Sequence, residues 1–219
     1  MIIGLIGQKR VGKDTVSNIL KNIDVACVFK CMALADPIKD IARIMFNFTE
    51  EQLYDDAKDV VDPKWGIKPR DFFEQFGTNI MQFDIYKYIP NLETQVEKRL
   101  FWVHSLLAKL KDYNYNKNSN VIVTDIRGLH EICEINKFTG GKAIFIRIVK
   151  EIEKKKDKKD KNDKNDKNIY SSHIHITQRE ANEIPEKYIF DTIINDGTLE
   201  ELKTKVENVW KRIEDIKLI

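Results

Sequence analysis

At 219 residues, 42% of them apolar, the chain is long enough for one full domain with a real core. It has no run of about 18 apolar residues, which excludes a membrane-spanning helix. The formal net charge is +2, and residues 151–168 account for it with eight lysines against six acidic residues; the balanced remainder argues against a nucleic-acid groove, so any basic site must be local.

In chain order, Ile2–Ile6 reads as a short buried strand. The sequence GQKRVGKDT comes next, and then a helix over 13–23 with Val16, Ile19, Leu20 and Ile23 on one face. A second strand is expected at 25–29. The segment ALADPIKDIARIMF starts a helix with Asp36 as N-cap and Pro37 in the first helical position. Ile38, Ile41, Ala42 and Met45 form its buried stripe. Residues 47–66 fit helix or loop. Pro69 opens another helix that should stop near Gly77, with Thr78 capping the next segment. A long helix is expected over 93–110, and after it the loop YNYNKNSN.

The strand NVIVTDIR, a helix over 128–138, Gly140-Gly141 and the strand KAIFIRIV come next. Asp191–Ile194 is a strand. Thr198 and Glu201 form a capping box for a last helix lined by Leu202, Val206, Val209, Ile213 and Ile216. Strands alternating with helices give an α/β fold with a mainly parallel central sheet. The stretch between the last two strands has Asp157, Asp160, Asp163 and Asp166 at every third position and no apolar residue beyond Ile152. It reads as a charged, low-complexity surface insertion.

Cys27, Cys31 and Cys133 are an odd, sparse set, as expected of reduced thiols in a cytoplasmic protein. The first two lack the second pair a zinc site needs. The opening MIIGLIG is too short and too poorly charged in front for a signal peptide.

The first loop fits G-x-x-x-x-G-K, and it lies between a strand and an amphipathic helix, the context a phosphate-binding loop requires. Its backbone N–H groups would wrap a phosphate at the helix N-terminus, and Lys13 would reach the β- and γ-phosphates. Asp14 stands where most such loops carry Ser or Thr, and Thr15 supplies a hydroxyl one position later. A carboxylate there can act on magnesium directly or through water, or cap local N–H groups, an arrangement closer to small-molecule kinases than to switch GTPases. Lys39 lies in the first turn of its helix, where a cation opposes the dipole unless an anion is near. Asp125 ends an apolar strand, the usual place for an acid facing a phosphate loop, although a turn or cap role would also place it there. Arg127, His130 and Glu131 lie just beyond. His173 and His175 alternate without the further ligands a metal site needs.

Taken in order, GQKRVGKDT, LADPIKDIA, PRDFFEQFGTNI, FWVHSLL, VIVTDIRGLHE, HIT and IINDGTLEEL resemble the phage-type deoxynucleoside monophosphate kinases. The resemblance covers nearly the whole chain apart from residues about 47–66 and 151–168. It implies a single three-layer P-loop kinase domain over 1–219, with a substrate-binding segment at about 36–112 and the charged insertion at 151–168 in the lid. It also implies transfer of the γ-phosphoryl group of ATP to a deoxynucleoside 5′-monophosphate, with Mg2+, and it suggests a homodimer.

Carried over by position, Arg10, Gly12, Lys13, Asp14 and Thr15 resemble the ATP phosphate site, and Lys9 a loop residue reaching toward the acceptor. Lys39 resembles the lysine near the acceptor phosphate. Arg70, Gly77 and Thr78 resemble the segment around the monophosphate, and Trp102 an aromatic residue of the acceptor pocket, although plain core would equally account for it. Asp125, Arg127, His130 and Glu131 resemble acceptor-binding and catalytic positions, with Lys13, Asp125 and Arg127 as the catalytic set. Arg147 and Arg179 are candidates for phosphate contact. Glu74 stands where the family often has Gln, the segment between Phe46 and Lys68 is compressed, and lid residues do not align. The rival readings are a P-loop kinase of another small acceptor, of phosphomevalonate or dephospho-coenzyme A type, and a non-catalytic nucleotide-binding module. The NDGT of residues 195–198 is not a guanine-reading N-K-x-D motif.

Overall fold

The computed structural model describes residues 1–23, 28–112, 120–150 and 176–217. The charged insertion at 151–168, His173, His175 and the 113–119 loop lie outside these. Two compact units emerge, Met1–Cys31 with Lys117–Ile219, and Met32–Asn116. Among the described residues no helix is long and apolar enough to cross a membrane.

The first unit is built on a five-stranded sheet. Strand β1 is Ile2–Ile6, with helix α1, Lys13–Ile23, after it, as the periodicity predicts. Strand β2 is Phe29–Met32, so the expected strand at 25–29 lies further along the chain; residues 24–27 fall outside the described ones and Val28 is 82% exposed. Strand β3, Asn120–Ile126, β4, Ile144–Val149, and β5, Asp191–Ile194, agree with their sequence patterns. The strand order is β2–β3–β1–β4–β5, and β1 pairs in parallel with β3 and β4, as β4 does with β5.

Alternation along β1 splits its side chains between two layers. Ile3 and Leu5 join Val16 and Leu20 of α1 and Leu202, Val206, Val209, Trp210 and Ile213 of the last helix in one apolar cluster. Burying each Leu or Ile side chain contributes about 1.5–3 kcal/mol. Trp210, absent from the predicted stripe, packs edge-on against Phe29 with ring centroids 5.5 Å apart, whereas Ile216 is 55% exposed near the helix end. The chain leaves β1 toward β2 but leaves β3 in the opposite direction, toward β4. Right-handed crossovers therefore put the helix after β3, Leu129–Thr139, on the other face. The sheet is thus flanked on both faces, the three-layer arrangement expected from the sequence.

The second unit is helical. Helix α2 is Asp36–Phe46, with Ala35 in the N-cap position and Pro37 near its start. Asp36 lies inside the first turn and accepts the Ala33 N–H at 2.7 Å, so its carboxylate closes the entering turn instead of capping the helix. Ile38 and Ala42 are buried as predicted, but Met45 is 56% exposed. The ambiguous stretch 47–66 is ordered by polar side chains. Thr49 and Gln52 form a reciprocal capping box for α3, Glu50–Tyr54. Gln52 and the N–H groups of Lys64 and Trp65 all donate to the Asp62 carboxylate.

Helix α4, Pro69–Glu74, does not stop at Gly77. It continues as a π-helix over Gln75–Asp84 and then as α5, Ile85–Tyr88. Widened turns free backbone carbonyls, and outside donors reach two of the carbonyls here: the Trp102 indole N–H reaches Gly77 O at 2.6 Å, and the Arg99 N–H reaches Gln82 O at 3.1 Å. The expected long helix over 93–110 is shorter, with α6 at Phe101–Asp112. Arg99 has φ 73°, a left-handed conformation that no helix interior admits, so the apolar spacing of 96–100 arises outside a helix.

Gly77 has no room for a side chain, because a Cβ there would lie 2.6 Å from Ile38 Cδ1. Gly77→Ala is expected to lose about 1–3 kcal/mol of stability by overpacking. Adding Ile38→Val, which removes that Cδ1, should recover part of the loss in urea unfolding monitored by circular dichroism; the absence of any recovery would place the strain elsewhere.

Candidate active site

The reversal of direction between β1 and β3 makes their carboxyl ends a topological switch point, the crevice where ligands bind in open α/β sheets. Residues 7–12 leave β1 there, and Asp125 and Arg127 leave β3 beside them. Helix α1 starts at Lys13, so its N-terminal N–H groups face the same end.

The loop geometry is set by its glycines and its lysine. Gly12 has φ 98°, and a Cβ on it would lie 2.4 Å from Asn195 Nδ2, so glycine is required on both counts. Arg10 also has positive φ, 66°, and with Lys9 it is exposed at the loop apex. Lys13 folds back over the loop, its Nζ donating to Gly7 O at 2.9 Å and Gln8 O at 2.6 Å. Its pKa is pushed down to about 8, first by burial and then by the charge of Arg127, against the opposing pull of Asp14 and Asp125. These couplings gather Lys13, Asp14, Asp125 and Arg127 around one point. Asp14 and Thr15 are exposed at the start of α1.

Helix α7, Leu129–Thr139, has Gly128 at its N-cap. Glu131 reaches back so that Oε2 accepts the N–H groups of Arg127 at 2.7 Å and Gly128 at 3.0 Å. Its pKa is pushed up to about 7 by burial, with those two N–H bonds working against the rise, and Asp125 adds to it. Glu131 thus fixes the backbone from which Arg127 projects. His130 Nε2 is 3.9 Å from the other oxygen of Glu131.

Asn195, which sequence reasoning did not single out beyond its motif, donates from Nδ2 to Val11 O at 2.9 Å. Its partner is 184 residues away in sequence, so no local pattern signals the bond. Arg147 is held by the Glu186 carboxylate and the Ile184 carbonyl, binding β4 to the segment after α8, Ile176–Glu183. The side chain of Arg179 lies outside the described residues.

The remaining predicted residues belong to the second unit. The Lys39 ammonium lies 3.9 Å from the centroid of the Tyr54 ring, which offsets part of its penalty near a helix N-terminus. Arg70 is paired with Asp59 through two guanidinium nitrogens and lies 4.0 Å from Glu74; the hydrogen bond to Asp59 raises its pKa above the usual range. Gly77 and Thr78 are buried in the π-helix. Trp102 is 5% exposed, with its N–H taken by Gly77 O, so its indole organises the helix.

No protein-family model and no curated protein matches the chain. Among solved structures it is similar to the dephospho-CoA kinase from Campylobacter jejuni, at 13% identity and a TM-score of 0.43, over 97% of this chain and 96% of that one. The strand order with a phosphate loop on the central strand defines an α/β protein of the P-loop kinase fold.

Two pH effects are expected. An anion at the loop restores the charge of Lys13, so binding of tripolyphosphate near pH 8 should take up about half a proton. Calorimetry in buffers of different ionisation enthalpy measures this, and Lys13→Met should abolish it. For Glu131 the folded pKa lies above the unfolded value of 4.5, so its contribution to stability is full below about pH 4.5 and is lost as pH rises through 7. Glu131→Gln keeps the acceptor and removes the titration, so its stability relative to wild type should climb by about 2 kcal/mol between pH 4.5 and 7 and level off above. A flat difference across that window in urea unfolding would refute the assignment.

Proposed function

We propose that the protein is an ATP-dependent deoxynucleoside monophosphate kinase. The observation that carries this reading is the phosphate loop at the switch point of the sheet, with Lys13 coupled electrostatically to Asp14, Asp125 and Arg127. The ordered motif set supplies the acceptor class.

In this reading the loop N–H groups and Lys13 bind the β- and γ-phosphates of ATP, and Arg10 joins them. Lys13 exchanges the carbonyls of Gly7 and Gln8 for phosphate oxygens, so the cation is already in place and the exchange costs little reorganisation. Arg127, held by Glu131 through its own N–H, stabilises charge on the transferring group. Asp125 accepts or orients at the acceptor side, with His130 beside it. Lys9, Lys39, Arg70, Gly77 and Thr78 serve the monophosphate; Arg70 trades Asp59 for the acceptor phosphate, one bidentate anion for another.

Among the described residues no group of three or more His, Cys, Asp or Glu could cage a metal. Asp14, Thr15 and Asp125 offer oxygen donors of the kind that hold Mg2+ together with phosphates and water. When bound there, Mg2+ neutralises charge on the β- and γ-phosphates. The remaining work is in-line positioning and exclusion of water, with no covalent enzyme intermediate.

The test is ADP release from ATP across deoxy- and ribonucleoside monophosphates, dephospho-coenzyme A and phosphomevalonate. A deoxynucleoside monophosphate should give the highest turnover. Turnover with dephospho-coenzyme A or phosphomevalonate alone would replace the acceptor, and nucleotide binding without turnover on any acceptor would make the protein a binding module. Lys13→Met should lower turnover by about 10²–10³. Lys39→Ala and Arg70→Ala should raise the KM for the acceptor and leave that for ATP nearly unchanged; the reverse pattern would reassign both residues to the donor.

A further inference from the structure

We propose that Asn195 is a positioning residue of the phosphate loop, holding the Val11–Gly12 peptide so that its N–H faces the anion. The inference rests on the phosphate-loop reading and extends it to a residue at the far end of the chain.

Asn195 directly succeeds β5, and its backbone N–H donates to Val149 O at 2.7 Å, so it continues the β4–β5 ladder beyond the Val149–Ile194 pair. Its side chain therefore projects from the sheet and not from a mobile turn. From there Nδ2 donates to Val11 O at 2.9 Å and abuts Gly12, where a Cβ would lie 2.4 Å away. The described residues contain no cis peptide bond, so the Gly12 N–H points opposite to the Val11 carbonyl. A donor fixed on that carbonyl aims the N–H away from Asn195. The next carbonyl, Gly12 O, is taken by the Val16 N–H at 3.0 Å as α1 begins.

The loop is thus held by two kinds of grip. Lys13 holds Gly7 O and Gln8 O, a grip it releases when it turns to a phosphate. Asn195 competes for no phosphate, so its bond persists when Lys13 has let go. It keeps the cradle shaped in the state that binds the anion.

The test uses the full chain and magnesium-free inorganic tripolyphosphate, at a temperature where every variant is folded. Asn195→Leu keeps the branched shape and removes the donor. It should weaken tripolyphosphate about ten-fold and reduce the downfield shift of the Gly12 amide proton on binding. Asn195→Asp keeps the polarity but turns an ionised acceptor toward the carbonyl, and it should bind more weakly still; it decides the matter if the leucine variant does not fold. A lowered melting temperature with affinity within about two-fold of wild type and an unchanged Gly12 shift would reduce Asn195 to a packing role and overturn the proposal. No binding of tripolyphosphate by the wild-type protein would overturn the phosphate-loop reading itself, and the proposal with it.

Discussion

A loop that offers its N–H groups to an anion must dispose of its carbonyls elsewhere, because each peptide carries both and they point in opposite directions. The architecture around residues 7–12 meets this constraint. Lys13 collects the carbonyls of Gly7 and Gln8, Asn195 takes that of Val11, and the first turn of α1 takes that of Gly12. The parallel sheet supplies the fixed frame: β1 delivers the loop, β5 delivers the latch, and β4 lies between them. The packing of α1 and α9, Leu199–Lys217, against the same sheet face keeps the helix N-terminus from drifting off that frame.

The electrostatics of the site have a common cause. Lys13 is pushed toward neutrality and Glu131 toward protonation, both chiefly by burial. Charges withdrawn from water without full compensation carry a cost, and perturbed pairs of this kind mark sites built for a charged partner. A polyanion completes the arrangement around Lys13 and Arg127. Glu131 contributes differently, since its bonds to the Arg127 and Gly128 N–H groups order the backbone whether or not it is ionised.

Local patterns in the sequence reveal the frame. Strand, glycine turn and amphipathic helix are contiguous, so β1, the loop and α1 are readable to their boundaries, as is the Thr198–Glu201 box. The misreadings share a physical origin in non-local partners. The apolar spacing of residues 93–100 imitates a helix that the left-handed Arg99 forbids. Gly77 looks like a stop but sits inside a continuous helical segment, packed against Ile38 and held by Trp102. Asp36 looks like a cap but turns its carboxylate back to Ala33. Asn195 could be found only by knowing that β5 ends beside the loop, which is a property of the sheet order and not of any window of residues.

The π-helical stretch Gln75–Asp84 also constrains how the chain can change length. On an α-helix each residue advances the face by about 100°, whereas a widened turn absorbs an extra residue without rotating the downstream helix by that amount. Deleting one residue between Gln75 and Asp84 would let the segment relax toward α geometry and swing Tyr86, which is buried with its hydroxyl on the Glu97 carbonyl, out of its place. Insertions and deletions are tolerable in the turns that flank this segment and are barred within it. The ten residues therefore act as a ruler for the second unit, fixing by their number the register between the Pro69 end and the Tyr88 end.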